Sequence, residues 1–459
     1  MTKLMCDSSA TLEEFLDRIE QLFEADVVEA AARDTQFVQR RSKLTGHIFL
    51  TSFVFGVMMY KTPTLEQLTG LINQVLATHG EHLTRNGLHE RLTNNAVEFF
   101  TQMLSHVIRI QLPSSQILRA LKDFEAVILV DSTSISLPEN LATLFAGSGG
   151  NASSAGLKIQ FGYDLKSCRM FYRVQASTRP DNASENSVVA EVPPGALRLT
   201  DLGYFLQEGF VRLHHKGAYF LSRLKRGVTV YRRSADDTLD PVNLPALIKD
   251  LTSSGAEWRE EEVVLVADKV ALPIRLIMES VPPEVLQQRI RRLNRDNKRK
   301  GRQTTPAAKL WASVSLYITN APVRKLAGSA CRLLYTVRWQ IELVFKLWKS
   351  EFALDQVRGQ QKERVLCTLY AKLFGAFLTA KLTTWVRNTV WNTARKEVSE
   401  YRAAKVLQTF LPRWYRTLFQ SPFQGAALLR EALAEMATCL KSSQTTRQYP
   451  LEMLEELFE

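Results

Sequence analysis

Three acidic residues stand where carboxylates can do chemistry. Asp131 ends the apolar run AVILV, Asp201 ends LRLT, and Glu342 lies in the amphipathic stretch YTVRWQIELVFKLWKSEF. An acid at the carboxyl end of a buried strand in an open α/β sheet faces the crevice where ligands bind. Three carboxylates gathered in one place repel each other unless a cation stands between them. Hard oxygen donors select Mg²⁺ or Mn²⁺. Two such ions about 4 Å apart can activate a water and stabilise the leaving oxygen in phosphoryl transfer. Taken singly, each aspartate also suits a plainer role as a turn former or helix cap.

The stretch around Glu342 carries more than one acid. Tyr335, Arg338, Glu342, Lys346 and Lys349 stand at offsets of 0, 3, 7, 11 and 14. At helical pitch they fall within a sector of roughly 80°. One face therefore joins an acid, three cations and a tyrosine, while Ile341, Val344, Phe345 and Trp348 face the core. Glu351 points to the opposite side. A solvated face with i,i+4 pairs such as Glu342 and Lys346 accounts for the charges alone, but not for the tyrosine and arginine on the same stripe.

The pattern Tyr335-x2-Arg338-x3-Glu342-x6-Lys349 resembles the YREK signature of bacterial insertion-sequence transposases of insertion sequence family four, in all four residue types and all three gaps. VDSTSISL around Asp131 and TDLGYF around Asp201 resemble that family's first- and second-aspartate motifs, and the separations of 70 and 141 residues also fit. The resemblance spans roughly residues 60 to 360.

It implies a DDE transposase: an α/β fold with a ribonuclease-H-like catalytic core, a β-rich insertion, and helical N- and C-terminal regions. Asp131, Asp201 and Glu342 would hold two Mg²⁺ ions, with Mn²⁺ as substitute, for cleavage and strand transfer at terminal inverted repeats, by cut and paste. Tyr335, Arg338 and Lys349 would hold the DNA backbone, arginine suiting bidentate phosphate contact and lysine supplying a point charge. Lys346 joins them on geometry. Some relatives stack an insertion tryptophan on a flipped base. Trp311 occupies a comparable place and is preferred to Trp258, although core packing is the commoner use of a tryptophan. The implied partners are double-stranded DNA, as transposon ends and target, and a second copy of the chain in the DNA complex. Two other readings share these residues: a metal-dependent nuclease without strand transfer, and a transposase-derived DNA-binding protein without catalysis.

The wider sequence agrees with a nucleic-acid enzyme. The chain has 459 residues, 45% hydrophobic and 23% charged, with a formal charge of +12. That excludes a disordered tail or a disulfide miniprotein and favours a polyanionic partner, nucleic acid ahead of an anionic membrane. The five cysteines are dispersed, without the spacing of a zinc site. GSGGNASSAG, a flexible loop at 147–156, lacks the GK[ST] ending of a phosphate-binding loop. The N-terminus has no apolar signal core, and HIFLTSFVFGVMMY is too short to span a bilayer and reads as a buried helix. A cytoplasmic protein, nucleoid-associated when bound to DNA, is expected.

The positioning elements divide into five segments. Residues 1–120 read as a helical, DNA-end-binding region, opening with a capping box at Thr11 and Glu14. Within it the helices Thr64–Ala77 and Leu83–Phe99 resemble a helix-turn-helix, placing Arg85, Asn86, His89 and Arg91 near the start of the second. Residues 121–226 alternate strands and helices as the first part of the core, and 227–320 are strand-rich. Residues 321–360 carry the glutamate helix. Residues 361–459 are helical again, serving as a dimer surface or as intramolecular core. From Arg289 to Lys309 there are nine basic residues and one acid. Arg291, Arg292, Lys298 and Arg299 there would follow a DNA backbone, without reading sequence. His214 and His215, read as strand neighbours, would face apart and share no metal.

Overall fold

Among the described residues ten strands form, most of them rich in β-branched and aromatic residues: β1 (Val127–Leu137), β2 (Ala155–Asp164), β3 (Met170–Ala176), β4 (Leu197–Thr200), β5 (Tyr219–Arg223), β6 (Tyr231–Arg233), β7 (Leu239–Pro241), β8 (Trp258–Ala267), β9 (Val270–Ser280) and β10 (Val314–Thr319). The computed structural model describes residues 9–110, 112, 122–147, 153–357, 359–420 and 422–441. Half of the expected loop at 147–156, residues 148–152, lies outside them, and its last two residues open β2. The fold is mixed α/β with helical flanks. The chain separates into two units. Among the described residues, one holds those up to Leu112, Ser132–Arg179 and those from Ile341 on; the other holds those from Lys122 to Asp131 and Pro180–Gln340. The chain thus passes between units inside β1 and again at the start of the helix Trp339–Phe352.

The second unit is built on a mixed sheet. β1, β4 and β5 are parallel, with Val127–Val130 opposite Leu197–Thr200 and Leu197–Leu199 opposite Tyr219–Leu221. These residues read as near-continuous apolar runs, as central parallel strands do when both faces are covered. The exception is Arg198, 1% exposed, whose guanidinium donates two hydrogen bonds (2.5 and 3.0 Å) to the equally buried Glu185 carboxylate. Glu185 opens the helix Glu185–Glu191, so this pair ties a covering helix to the central strand. Gly209 must be glycine here, because a Cβ would lie 2.3 Å from Glu185 Oε1. β10, β9, β8, β6 and β7 continue the sheet beyond β5, in that order. β8 and β9 form a hairpin whose turn, Asp268–Lys269, has positive φ at both residues, the form that follows strand twist.

The first unit holds the second half of β1 (Ser132–Leu137), the antiparallel pair β2 and β3, and most of the helices. Gly46–Tyr60 is a buried helix, as its unbroken apolar character predicts; its N-cap Thr45 accepts from Ile48 N. Lys362–Ala394 is long and apolar enough to cross a membrane, but its apolar window is 89% buried within the molecule. It is core. Its buried Lys381 donates to the carbonyls of Ile108, Ile110 and Cys168 at 3.1, 2.5 and 2.8 Å, satisfying the charge with backbone.

Four local expectations are corrected. The first helix spans Ser9–Glu20 among the described residues, so Thr11 lies inside it and not at an N-cap; Thr64 and Gln67 form a capping box. The expected helix Leu83–Phe99 is two helices, Arg85–Glu90 and Asn94–Arg109, because Thr93 turns extended and caps the second with its side chain. The helix-turn-helix therefore loses its long second helix, Arg85 pairs with Glu66 at 2.8 Å, and Arg91 donates to Ser42. His214 and His215 end a helix, Gln207–His215, because Phe210 and Leu213 recur at helical spacing and are buried. YTVRWQIELVFKLWKSEF is interrupted at Arg338, between the helices Cys331–Val337 and Trp339–Phe352.

Candidate active site

The register of the second unit brings two of the three acids to one edge. Leu129, Leu199 and Leu221 are partners across three parallel strands, all fully buried. Two residues further on, side chains return to the same face. Asp131, Asp201 and Arg223 thus line up at the carboxyl ends of β1, β4 and β5. Asp201 keeps extended backbone (φ −80°, ψ −179°) and accepts from Gly203 N at 2.9 Å, capping the turn Leu202–Tyr204. The plain capping role is real, and one carboxylate oxygen carries it.

The helix Cys331–Val337 packs on β5 and β10 and supplies the signature residues of this unit. Arg338, at its C-terminus, reaches Asp131 Oδ2 at 3.4 Å with both side chains largely buried. Its guanidinium lies 5.8 Å from the centre of the Tyr335 ring, which sits 5.5 Å from Tyr317. Burial pushes the Tyr335 phenol above its usual pKa, and the Asp201 charge adds to the rise, while Arg338 and Arg223 oppose it. Asp131, Asp201, Tyr335 and Arg338 therefore form one polar cluster in the second unit, with Arg223 beside it. Arg223 was missed by sequence reading; the signal was a cation at the end of the third parallel strand, legible only once the register is known.

Glu342 belongs to the first unit, in the first turn of the helix Trp339–Phe352 and half-buried. Exposed Lys346 and half-buried Lys349 share its stripe, and Ile341, Val344, Phe345 and Trp348 are buried as expected. Trp348 is clamped within that unit by Phe161, Phe345 and Phe377, at ring separations of 4.7, 5.5 and 5.4 Å. At the helix end Lys372 donates to Ala353 and Gln356 carbonyls (2.8 and 3.0 Å), a cation on the negative end of the dipole. Glu351, on the other side, is buried against Lys61 and Lys405 and is structural. Among the described residues no group of three or more acidic, histidine or cysteine side chains is arranged to hold a metal ion.

The basic segment is a helix, Pro283–Arg299, with no buried residue. Arg291, Arg292, Lys298 and Arg299 are exposed and, with Arg295, cover an arc of roughly 120°. Arg289 is different: it donates to the Ala312 and Val314 carbonyls and to Ser315 Oγ, holding the helix to the sheet. Trp311 is half-buried in the short helix Pro306–Ala312, whereas Trp258 on β8 is 44% exposed.

Residues 122–378, more than half of the chain and including all three acids, match the transposase DDE domain. The chain is 29% identical over 422 residues to the transposase for insertion sequence element IS231F of Bacillus thuringiensis subsp. israelensis, covering 89% of this chain and 87% of that one. It is 26% identical to the transposase for IS1151 of Clostridium perfringens, covering 91% and 90%. A stretch of 106 residues is 37% identical to the putative transposase InsL for IS186A of Escherichia coli K12, covering 23% of this chain and 29% of that protein. The chain belongs to the DDE transposases of insertion sequences, a family of DNA-processing enzymes.

Proposed function

We propose that this enzyme cuts DNA at the terminal inverted repeats of its own insertion sequence and joins the freed ends to a target, by cut and paste, from a ribonuclease-H-like core into which residues 227–320 are inserted. The observation that carries this reading is the placing of Asp131 and Asp201 in register on adjacent parallel strands, with Arg338 on Asp131. The reading assigns Glu342 as the third carboxylate. The donor chemistry fits a hard divalent ion: carboxylate oxygens, and a guanidinium already balancing charge at Asp131. Bound there, two Mg²⁺ ions, or Mn²⁺ in their place, supply an activated water or DNA 3′-hydroxyl and counter the charge on the departing oxygen.

The protein's own task is positioning. Arg338 offers a planar fork to a backbone phosphate, Tyr335 a hydroxyl, and Lys346 and Lys349 point charges. Arg291, Arg292, Lys298 and Arg299 line a helix that tracks DNA through phosphates, giving affinity without sequence. Trp311 is assigned to stacking on an unpaired base. Two copies act on two ends, in the cytoplasm.

The test is cleavage of a labelled duplex carrying the terminal repeat, with Mg²⁺, Mn²⁺ or EDTA, wild type beside Glu342→Gln. Metal-dependent nicking at the repeat boundary, lost in the variant, is expected. Nicking without joining to target would reduce the reading to a nuclease. Binding without nicking in any metal would overturn it in favour of a non-catalytic DNA-binding protein.

A further inference from the structure

Tyr317 stands inside β10, paired with Arg223 on β5 and with Ile277 on β9, and is 5% exposed. Hydrogen-bonded strands flank it on both sides, so its backbone is held firmly. Its neighbours on the strand, Leu316 and Ile318, are aliphatic. A buried phenol needs a partner for its hydroxyl, a demand that a leucine or isoleucine does not make. Here the partner is the Ser315 side chain, which also accepts from Arg289 at 2.9 Å. Two further polar groups therefore serve to keep a tyrosine at this place. Its ring meets the Tyr335 ring, with centroids 5.5 Å apart and planes inclined by 56°, a tilted contact of the kind that aromatic pairs favour.

Tyr335 needs such a contact. Its helix, Cys331–Val337, has seven residues and is too short to be stable by itself. Buried Cys331, Leu334 and Val337 seat it, and Arg332 ties it to Glu279 on β9 at 2.5 Å. Those contacts fix the backbone of the helix, while the half-buried Tyr335 ring still turns about two side-chain torsions. Packing against Tyr317 restricts that turning. The Tyr335 ring in turn carries the Arg338 guanidinium, 5.8 Å from its centre and within reach of a cation–π attraction. Arg338 reaches Asp131 Oδ2 at 3.4 Å, long for a hydrogen bond, so the carboxylate directs the guanidinium only loosely. A continuous path of contacts therefore runs from the rigid strand β10 through two rings and a guanidinium to Asp131, all of it within the second unit.

We propose that Tyr317 is a positioning residue of this enzyme: it fixes the Tyr335 ring, and through that ring the plane of the Arg338 guanidinium beside Asp131. The inference rests on the transposase reading above and extends it to a residue outside the Tyr–Arg–Glu–Lys signature. A guanidinium binds phosphate through a planar fork, and the fork is useful only when its plane is set before the phosphate arrives. Tyr317 touches neither the substrate nor the aspartates; it acts through Tyr335 and Arg338.

The experiment measures kcat and KM for cleavage of the labelled terminal-repeat duplex with Mg²⁺, for wild type, Tyr317→Phe and Tyr317→Leu, each with Arg338 present and in an Arg338→Lys background. Reactions run at least about 15 °C below each melting temperature, so that unfolded protein contributes nothing. Tyr317→Phe keeps the ring and is expected to cut within about twofold of wild type. Tyr317→Leu removes the ring and is expected to lower kcat about three- to tenfold, the worth of one aromatic pair. Lysine carries the charge of arginine without its planar fork, so in the Arg338→Lys background Tyr317→Leu is expected to cost less than about twofold further. An equal fold loss in both backgrounds would show that Tyr317 only fills the core and would overturn the assignment, as would a leucine variant that cuts like wild type. Should Arg338→Lys not cut, the same cycle is read in duplex affinity by fluorescence anisotropy in EDTA, with the same two outcomes. Should the leucine variant not fold, Tyr317→Met fills the space with a flexible chain and takes its place. Failure of wild type to cut the duplex would overturn the transposase reading itself, and this inference with it.

Discussion

Glu185→Gln is the perturbation with the most to say about how the aspartate edge is held. The substitution keeps size and removes charge. It leaves Arg198, 1% exposed, facing an amide that offers one acceptor where the carboxylate offered two, at 2.5 and 3.0 Å. Breaking a buried ion pair from one side costs about 3–5 kcal/mol. For a cooperative unit of 150–250 residues, each kcal/mol moves the midpoint by about 2–4 °C, so a fall of roughly 6 to 20 °C follows. Asp201 lies three residues beyond Arg198 on the same strand, so terminal-repeat cleavage should fall at temperatures where most of the protein is still folded. Gly209→Ala should act in the same direction, because its new Cβ meets Glu185 Oε1. Scanning calorimetry and cleavage at 20–37 °C (roughly the span where wild type is expected to be folded) read both effects. The double variant Glu185→Leu/Arg198→Met, with no buried charge, should regain much of the loss. A Glu185→Gln protein within about 1 kcal/mol of wild type, or a double variant no better than the singles, would refute the claim that this pair fixes β4.

Three further outcomes are expected. Lys381→Met removes the donor for three buried carbonyls and should cost at least about 3 kcal/mol in urea unfolding, at about 1 kcal/mol or more for each orphaned acceptor. His47 is held below its usual pKa by burial, with Glu29 pulling the other way. Because the folded pKa is the lower one, its contribution is complete above about pH 6.5 and is lost as pH falls toward the folded value, by at most about 1.4 kcal/mol per pH unit. Melting temperatures at pH 8 and pH 5 should therefore differ less for His47→Gln than for wild type. Replacing Arg291 and Arg292 with alanine should weaken DNA binding alike on specific and random duplexes. It should also flatten the slope of log affinity against log salt by about 0.9 for each phosphate no longer neutralised, read by fluorescence anisotropy.

Much of the architecture is legible because it is local. The helix Gly46–Tyr60 follows from an unbroken apolar run, and β8 and β9 follow from β-rich segments around a turn. The errors are also local in cause. Thr93 stops a helix that periodicity carries through, since a side chain capping Ala96 N competes with one more turn. His214 and His215 sit in a helix because burial of Phe210 and Leu213 decides between two readings of a short segment. Arg289 counts as one more cation in the sequence, but in the fold its donors are taken by the end of a neighbouring helix and by β10.

The sequence by itself determined the chemistry on offer: two strand-end aspartates, a glutamate on a helical stripe of Tyr, Arg and Lys, and a surplus of positive charge. Those are properties of residue type and spacing, and no folding is needed to count them. Tertiary structure alone decided which groups share a neighbourhood. Val130 opposite Thr200 and Leu199 opposite Leu221 are pairings between strands far apart in the chain, set by backbone hydrogen bonds and by which face is buried. A shift of one residue would turn Asp131, Asp201 or Arg223 to the other face. Register is a collective result of core packing, and for that reason the alignment of two acids with a third-strand arginine is written in the fold and not in any one stretch of sequence.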